Sequence, residues 1–313
     1  MKTFYNKRNV LVTGGAGFIG SHIAQQLVQY GAYVTILDNF KTGKIENIAA
    51  IKQSIALIEG DIMDYATCLK ATTHQELIFH CAAETSVPES LENPSLYFST
   101  NVTGTANILE TARINNVKRL IFSSSSAVYG QQTGLCTETA ACNPTSPYGF
   151  SKLIGELLCK QYTLNFNVET VILRYFNVFG PRQDLFAPYA SVIASFKTKM
   201  AQNKPITIYG DGLQTRDFVH VQHIVDSNLR TGFIPAQAIT GSVLNCATGS
   251  SITLLQLIQK LRHEFPDFTE AITFAPARAG DIKHTSADCA LYNKIMAQFQ
   301  EEFKLTPSTA ENH

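Results

Sequence analysis

TGGAGFIG at 13–20 is the stretch that decides the fold of this 313-residue chain. It follows an apolar run, NVLVTG at 9–14, and leads into a helical pattern at 18–30. A strand, a tight glycine turn and a helix in this order let the backbone approach a pyrophosphate, and the helix N-terminus faces the anion. The spacing fits both G-x-x-G-x-x-G and G-x-G-x-x-G, with glycines at Gly14, Gly15, Gly17 and Gly20. Because strand and helix flank the turn on both sides, the sequence predicts a dinucleotide-binding site.

Acidic residues end the next two apolar runs. Asp38 closes AYVTILD at 32–38, where a carboxylate hydrogen-bonds the adenosine ribose and repels a 2′-phosphate. This position favours NAD over NADP as the cofactor. Asp61 closes IALIEGD at 55–61 and is predicted to accept a hydrogen bond from the adenine amino group, although such an aspartate, taken alone, is commonly a turn or cap residue.

The first half of the chain alternates apolar runs with helical patterns. The runs are almost wholly apolar, which is typical of parallel strands buried on both faces. They predict an α/β fold built on a Rossmann-type doubly wound parallel sheet. The later runs are ELIFHCAA at 76–83, RLIFSSS at 119–125 and ETVILRYFNV at 169–178.

Beyond the last of these runs the strands become shorter, which predicts a smaller C-terminal α/β substrate lobe. We expect an NAD-binding Rossmann domain at 1–177, with a returning segment near 215–245, and a substrate-binding lobe at 178–313.

Composition and charge argue against several classes of protein. Lys plus Arg and Asp plus Glu each number 25, so the net charge of zero gives no support to a nucleic-acid or membrane partner. No apolar run approaches the length of a membrane span, and the start MKTFYNKRNV has no signal core, so we expect a cytoplasmic protein. The seven cysteines form no C-x-x-C pair and the eight histidines do not cluster, so no metal site is predicted.

SPYGFSK at 146–152 places a tyrosine and a lysine about one helical turn apart. Tyr148 and Lys152 are therefore expected to project from one face of a helix. A free tyrosine titrates near pH ~10 and is a poor base at neutral pH. The lysine ammonium and the positive nicotinamide ring are expected to lower the pKa of this phenol and fit it for proton transfer. Such a pair is common on amphipathic helices, so its meaning depends on the rest of the chain.

The motifs together resemble the extended short-chain dehydrogenase/reductase superfamily, and within it the nucleotide-sugar branch of the NAD-dependent epimerase/dehydratase family. The resemblance covers nearly the whole chain. It rests on TGGAGFIG, LDNF, GDI, HCAAETSVPES, NVTGT, FSSSSAVYG, SPYGFSK, RYFNVFGPRQ, YGDGLQTRDFVHV and RAGDIKHTSAD. It implies that Tyr148 and Lys152 are the catalytic Y-x-x-x-K pair. Ser125 is the implied catalytic serine, placed by counting back from VYG at 128–130.

The resemblance also implies the binding residues and a homodimer, in which helical segments near 93–115 and 148–165 pair across a two-fold axis. Arg216 and Arg278 are expected to hold a diphosphate, because the planar guanidinium fits phosphate. The cofactor residues are Gly14, Gly17, Phe18, Ile19, Gly20, Asp38, Asn39, Thr42, Gly43, Asp61, Ile62, Ala82, Ala83, Asn101, Ser123, Tyr148, Lys152 and Phe176. The substrate residues are Thr85, Ser125, Asn177, Tyr189, Arg216, Arg278, Asp281 and Thr285.

The residues just before VYG distinguish the reactions of the family. Dehydratases and decarboxylases of this group carry an acid there, which handles a second proton. This chain has Ser126 and Ala127, so elimination and decarboxylation are disfavoured. No extra Cys/His acid–base pair stands at this turn, as 3,5-epimerases and 4-reductases need. The resemblance therefore implies a UDP-hexose 4-epimerase, which oxidises carbon 4 and returns the hydride to the other face of the rotated keto-sugar.

Thr285 falls where some family epimerases carry a bulky tyrosine that excludes N-acetyl sugars. A threonine leaves space, so we expect UDP-GlcNAc and UDP-GalNAc to be accepted as well as UDP-glucose and UDP-galactose. A 4-epimerase of a UDP-uronic acid or pentose, or another nucleotide-sugar enzyme of the family, is an alternative. A non-catalytic NAD-sensing protein is a third, although such a protein would be expected to lack Tyr148 and Lys152.

Overall fold

The computed structural model describes residues 1–132, 134–184, 192–277, 283 and 285–304. The strands are β1 (Asn9–Thr13), β2 (Tyr33–Asp38), β3 (Ile55–Glu59), β4 (Leu77–His80), β5 (Arg119–Ser125), β6 (Glu169–Tyr175), β7 (Asn177–Phe179), β8 (Ile206–Tyr209), β9 (Thr215–Arg216), β10 (Phe218–His220), β11 (Val243–Cys246), β12 (Ile252–Thr253) and β13 (Ile272–Ala275). The α-helices are α1 (Lys2–Tyr5), α2 (Phe18–Gln29), α3 (Ile45–Ile48), α4 (Tyr65–Thr72), α5 (Val87–Glu92), α6 (Pro94–Phe98), α7 (Gly104–Ile114), α8 (Pro147–Phe166), α9 (Val192–Ala201), α10 (Val221–Phe233), α11 (Ala236–Ile239), α12 (Leu254–Glu264), α13 (Ala290–Gln298) and α14 (Gln300–Lys304). Short 3-10 helices span Ala49–Ser54 and Ser126–Tyr129, and a π-helical turn spans Ser99–Thr103.

Seven parallel strands form the main sheet in the order β11-β6-β5-β4-β1-β2-β3. Side chains alternate between its faces, so Val10 and Val12 pack with α2 and α10, whereas Leu11 packs with α4 and α7. The strand order reverses between β1 and β4, which opens a crevice at their carboxyl ends. The predicted Rossmann-type doubly wound sheet is confirmed.

One strand departs from the expected burial. β3 was expected to be covered on both faces, yet Leu57 is 38% exposed and Ala56 and Glu59 are also exposed. β3 lies at the edge of the sheet, beyond β2, so helices cover it less completely than they cover the central strands.

The shorter strands build three two-stranded sheets, of which β10–β7 and β13–β8 are parallel and β12–β9 is antiparallel. Phe196 of α9, Ile206 of β8 and Ile258 of α12 belong to one core of this part. The single run expected at 169–178 is broken at Phe176, because β7 leaves the main sheet to pair with β10. β11 joins the main sheet beside β6, and the division into two domains stays a prediction.

Candidate active site

A cleft of about 500 Å³ opens at the carboxyl ends of β1, β2, β4 and β5, where the strand order reverses. It brings together most residues that the sequence predicts for the cofactor. Those lining it are Gly14, Gly17, Phe18, Ile19, Gly20, Asp38, Asn39, Thr42, Asp61, Ile62, Ala82, Ala83, Ser123, Tyr148, Lys152 and Phe176. The predicted substrate residues Thr85 and Ser125 line it as well.

The glycine turn fits a dinucleotide. Gly14 has φ +66°, and a Cβ there would lie 2.7 Å from the amide nitrogen of Ala82, so only glycine leaves room between the β1 and β4 loops. Gly17 is the N-cap of α2 and offers no side chain to the first N–H groups of that helix, which is the arrangement that suits an anion.

The carboxylate of Asp38 completes this fit. Its two oxygens accept hydrogen bonds from the backbone N–H groups of Ala16 and Phe40, both at 2.9 Å, which fix its orientation. Each carboxylate oxygen has a second lone pair for a ribose hydroxyl. Gly43 does not line the cleft, but a Cβ at Gly43 would lie 2.6 Å from Oδ1 of Asp38, so this glycine makes room for the carboxylate.

The predicted catalytic residues meet on one wall of the cleft. Ser125 ends β5, and Tyr148 lies in the first turn of α8, which begins with Ser146 capping the N–H of Gly149 and with Pro147 at the first position. Tyr148 and Ser125 are neighbours in the lining of the cleft, close enough for the Ser125 hydroxyl to affect the pKa of the phenol. Lys152, one turn later, is 4% exposed.

Lys152 is fixed beneath the cleft, because its Nζ donates to the carbonyl oxygen of Ser123 at 2.8 Å. Loss of water around this ammonium lowers the pKa of Lys152 to about 8. Loss of water around the phenol also raises the pKa of Tyr148, and the neighbouring Ser125 hydroxyl opposes that rise only in part. The expectation that the pKa of Tyr148 is lowered is therefore wrong for the polypeptide alone. That expectation named two cations, the Lys152 ammonium and the positive nicotinamide ring, and only the nicotinamide ring is left to lower the pKa.

Asn101 was predicted to bind the cofactor, but the structure places it behind the cleft wall, 2% exposed. Its Nδ2 donates to the carbonyl oxygen of Glu84 at 3.0 Å and to Oγ of Ser151 at 2.9 Å, and its Oδ1 accepts from the N–H of Glu84 at 2.8 Å. Ser151 in turn donates to the carbonyl oxygen of Tyr148 at 2.8 Å. Asn101 thus ties the loop after β4 to the catalytic helix.

A buried ion pair lies one turn beyond Lys152 and was missed by the sequence reasoning. Glu156 and Arg174 approach to 2.7 Å, and their side chains are 1% and 3% exposed. Ser124 donates to the same carboxylate at 2.5 Å. The carboxylate thereby joins α8, β5 and β6, the three elements that carry Tyr148, Ser125 and Tyr175. The four-residue step from Lys152 to Glu156 is the only sequence signal that pointed to it.

Charged residues of the cleft were missed as well, namely Lys41, Lys44, Glu84, Arg182 and Asp184. All of them lie in or next to quoted motifs, in FKTGK, CAAET and GPRQD, where their charge was the available signal.

A second cavity of about 210 Å³ contains two predicted substrate residues, Asn177 and Arg216, with Phe179, Val192 and Phe218 among its other walls. Asn177 donates to the carbonyl oxygen of Asp217 at 3.2 Å, and Arg216 donates to that of Thr215 at 2.9 Å.

Four predicted substrate residues lie apart from these cavities or outside the described residues. Thr285 is 8% exposed and donates to the carbonyl oxygen of Thr215 at 3.4 Å. Tyr189, Arg278 and Asp281 fall outside the described residues.

Among the residues that the structure describes, no three or more His, Cys, Asp or Glu side chains come together as metal ligands would. In the same part of the chain, no helix combines the length and the hydrophobicity needed to cross a membrane.

Comparison with known proteins places the chain in a family. The model of the NAD dependent epimerase/dehydratase family matches residues 10–247. The UDP-glucose 4-epimerase of Mycolicibacterium smegmatis is 34% identical over 285 residues, which are 89% of this chain and 89% of that protein. The UDP-N-acetyl-alpha-D-glucosaminuronate decarboxylase of Bacillus cytotoxicus is 33% identical over 276 residues, or 86% of this chain and 84% of that protein.

Among solved structures, the UDP-N-acetylglucosamine 4-epimerase from Methanobrevibacter ruminantium M1, in complex with UDP-N-acetylmuramic acid, matches with a TM-score of 0.87 and 38% identity. The match covers 93% of this chain and 92% of that chain. The predicted recognition, the enzyme class and NAD as cofactor are confirmed. The chain is a member of the NAD dependent epimerase/dehydratase family.

Proposed function

We propose that the protein interconverts UDP-hexoses that differ in configuration at carbon 4. The observation that carries this proposal is that Ser125 and Tyr148 lie together on the wall of the cleft, with Lys152 fixed one turn below. This geometry offers one acid–base group and one hydrogen-bonding partner to a single hydroxyl oxygen, which is what oxidation of an alcohol requires.

The residues divide the work of this reaction. Bound NAD would take a hydride from carbon 4 and later give it back. Tyr148 takes the proton of the carbon-4 hydroxyl and returns it to the same oxygen afterwards, so the proton count closes within a turnover. Ser125 holds that oxygen in place. Lys152 spends one of its three N–H donors on Ser123, and two are left for the nicotinamide ribose and for the electrostatic support of the phenolate.

Elimination and decarboxylation are the alternatives within the family, and a decarboxylase is among the relatives. The 3-10 turn after β5 begins with Ser126 and Ala127, and neither side chain can move a second proton at this turn. The redox-neutral 4-epimerisation needs no such group, so the turn supports epimerisation.

Substrate anchoring is proposed for the second cavity. A keto-sugar that must present both faces needs to rotate, so the nucleotide and not the hexose is held. Arg216 and Asn177 supply donors beside the apolar walls formed by Phe179 and Phe218, which suits a diphosphate next to a flat base. Arg278, Asp281 and Tyr189 stay predictions for the same role.

The substrate range is proposed to include the N-acetyl sugars. Thr285 is small and its hydroxyl donates to the carbonyl oxygen of Thr215, so it occupies less volume than the tyrosine that some family epimerases carry at this position. Separate incubations with UDP-glucose, UDP-GlcNAc and UDP-glucuronate, followed by separation of the products, test this range. We expect conversion of the first two. Conversion of UDP-glucuronate alone would favour the uronic-acid alternative, and no conversion of any would favour a protein that only senses NAD.

We further propose a homodimer formed by α8 and the region around α5 and α6. Phe150, Leu157 and Leu164 follow each other at intervals of seven residues along α8 and are 49%, 53% and 76% exposed. Leu91 and Phe98 are 56% and 37% exposed, and the rings of Phe98 and Phe150 touch edge to face at 6.3 Å. A stripe this apolar suits helix pairing across a two-fold axis. Sedimentation of wild type against Leu157→Lys tests it, with a monomeric wild type as the contrary result.

A further inference from the structure

Two charged side chains that the proposed reaction does not use meet at the cleft. The Nζ of Lys41 lies 2.5 Å from Oε1 of Glu84, and both residues line the cavity. The side chain of Lys41 is 44% exposed and that of Glu84 is 10% exposed. The pair thus joins a nearly buried carboxylate to an ammonium at the solvent edge of the cleft.

The sheet order shows what this pair spans. Lys41 follows β2 and Glu84 follows β4, and these strands lie on opposite sides of β1. Two strand spacings amount to roughly 10 Å, so the ion pair bridges the carboxyl end of β1, where the glycine turn at 13–20 begins. A pyrophosphate bound at that turn would lie at the carboxyl end of β1, beside this ion pair.

The backbone is held by hydrogen bonds at both ends of the bridge. The peptide groups of Glu84 are held on both sides by Asn101, which is itself buried. The loop that carries Lys41 is fastened by Asn39, which accepts from the N–H of Lys41 at 3.0 Å and donates to Asp61 at 2.8 Å. Because both backbones are held, opening requires a side chain to move, and that of Lys41, 44% exposed, has more room than that of Glu84, 10% exposed.

We propose that Lys41 and Glu84 form a clasp over the dinucleotide and set how slowly it leaves the cleft. Glu84, nearly buried, holds the ammonium over the phosphates, and the ammonium has further N–H donors for phosphate oxygens. The clasp rests on the cofactor of the family and not on the identity of the sugar. Its value to a 4-epimerase, which rests on the proposed function, is that reduced cofactor must remain until the hydride is returned.

A double-mutant cycle on cofactor release tests the clasp. The full chain, loaded with NADH, is mixed with excess NAD, and the loss of bound-NADH fluorescence gives the release rate. We expect Lys41→Met and Glu84→Gln each to speed release about fivefold, and the double variant to release no faster than the faster single, because one shared interaction is removed. Raising the salt from about 50 mM to about 500 mM speeds release from wild type and leaves the double variant unchanged.

The matched control is a pair of the same chemistry elsewhere. Lys197 and Glu264 form a 2.6 Å ion pair on α9 and α12, and neither residue lines the cleft, so Lys197→Met leaves the release rate unchanged. Wild-type release rates in both single variants, or single effects that multiply in the double variant, overturn the clasp. If Glu84→Gln does not fold, Lys41→Met against Lys41→Arg, which keeps the charge and the slow release, carries the test. The release experiment contains no sugar. A result against the clasp therefore does not contradict the proposed epimerisation, and a lack of epimerisation does not contradict the clasp.

Discussion

Two walls of the same cleft hold their charges in opposite ways. Beneath the catalytic wall, Glu156 and Arg174 are almost entirely buried, with the carboxylate also accepting from Ser124. Across the cleft, Lys41 meets Glu84 at the edge of solvent. A buried ion pair fixes geometry because breaking it leaves a buried charge without its partner. The charges of a surface ion pair can separate at little cost, because water solvates them. The contrast is consistent with our two proposals, in which one wall positions the chemistry and the other controls passage of the cofactor.

The largest expected effect separates chemistry from binding on the rigid wall. Tyr148→Phe removes the only group proposed to move a proton, so turnover is expected to fall about a thousandfold while NAD stays bound. Product formation and the cofactor content of the purified protein are the two measurements. Turnover within a few-fold of wild type would remove Tyr148 from the mechanism.

The two ion pairs are compared directly by unfolding. Glu156→Gln leaves Arg174 buried without its counter-charge, so the free energy of unfolding in urea is expected to fall by about 3–5 kcal/mol. Glu84→Gln is expected to cost no more than about 1 kcal/mol, since its partner is close to half exposed. Equal losses in the two variants would contradict the division between the walls.

A smaller effect follows from the titration of Lys152. Its pKa is lowered to about 8 in the folded chain and lies near ~10.4 in an unfolded one, so the unfolded chain binds more protons above pH ~8. Stability conferred at this site therefore rises with pH between about 8 and 10, by about 1–2 kcal/mol. Unfolding of wild type and of Lys152→Met across this window measures the difference. A rise of equal size in both proteins would show that another group is responsible.

The smallest predicted change concerns substrate choice. Thr285→Tyr is expected to lower kcat/KM for UDP-GlcNAc about tenfold or more through a steric clash, and to leave kcat/KM for UDP-glucose within about twofold. Equal loss for both sugars would mean that Thr285 acts on folding and not on the N-acetyl group.

Local signals predicted the central part of this molecule. The glycine turn and RLIFSSS at 119–125 lie where the sequence placed them, because a tight turn and a buried parallel strand are properties of short segments. The exposure of β3 was not predictable from its apolar composition, since a strand's place at the edge depends on the order of the whole sheet.

Long-range contacts account for features of the site that the sequence did not predict. Asn101 begins the motif NVTGT and was predicted from it as a cofactor residue. Its hydrogen-bond partners Glu84 and Ser151 lie 17 and 50 residues away, so its position behind the cleft wall could not be deduced from the sequence. The raised pKa of Tyr148 in the polypeptide alone was not predictable for a similar reason: the neighbouring lysine is visible in the sequence, but the loss of water around the phenol is not.

The most direct test of the account follows the hydrogen on carbon 4. UDP-galactose carrying deuterium at carbon 4 is incubated with the protein, and the product is examined by NMR. Removal and return of one hydride predict UDP-glucose that keeps the deuterium at carbon 4, without exchange with water. Product that has lost its deuterium to solvent, or recovery of unchanged UDP-galactose, would contradict the proposed 4-epimerisation.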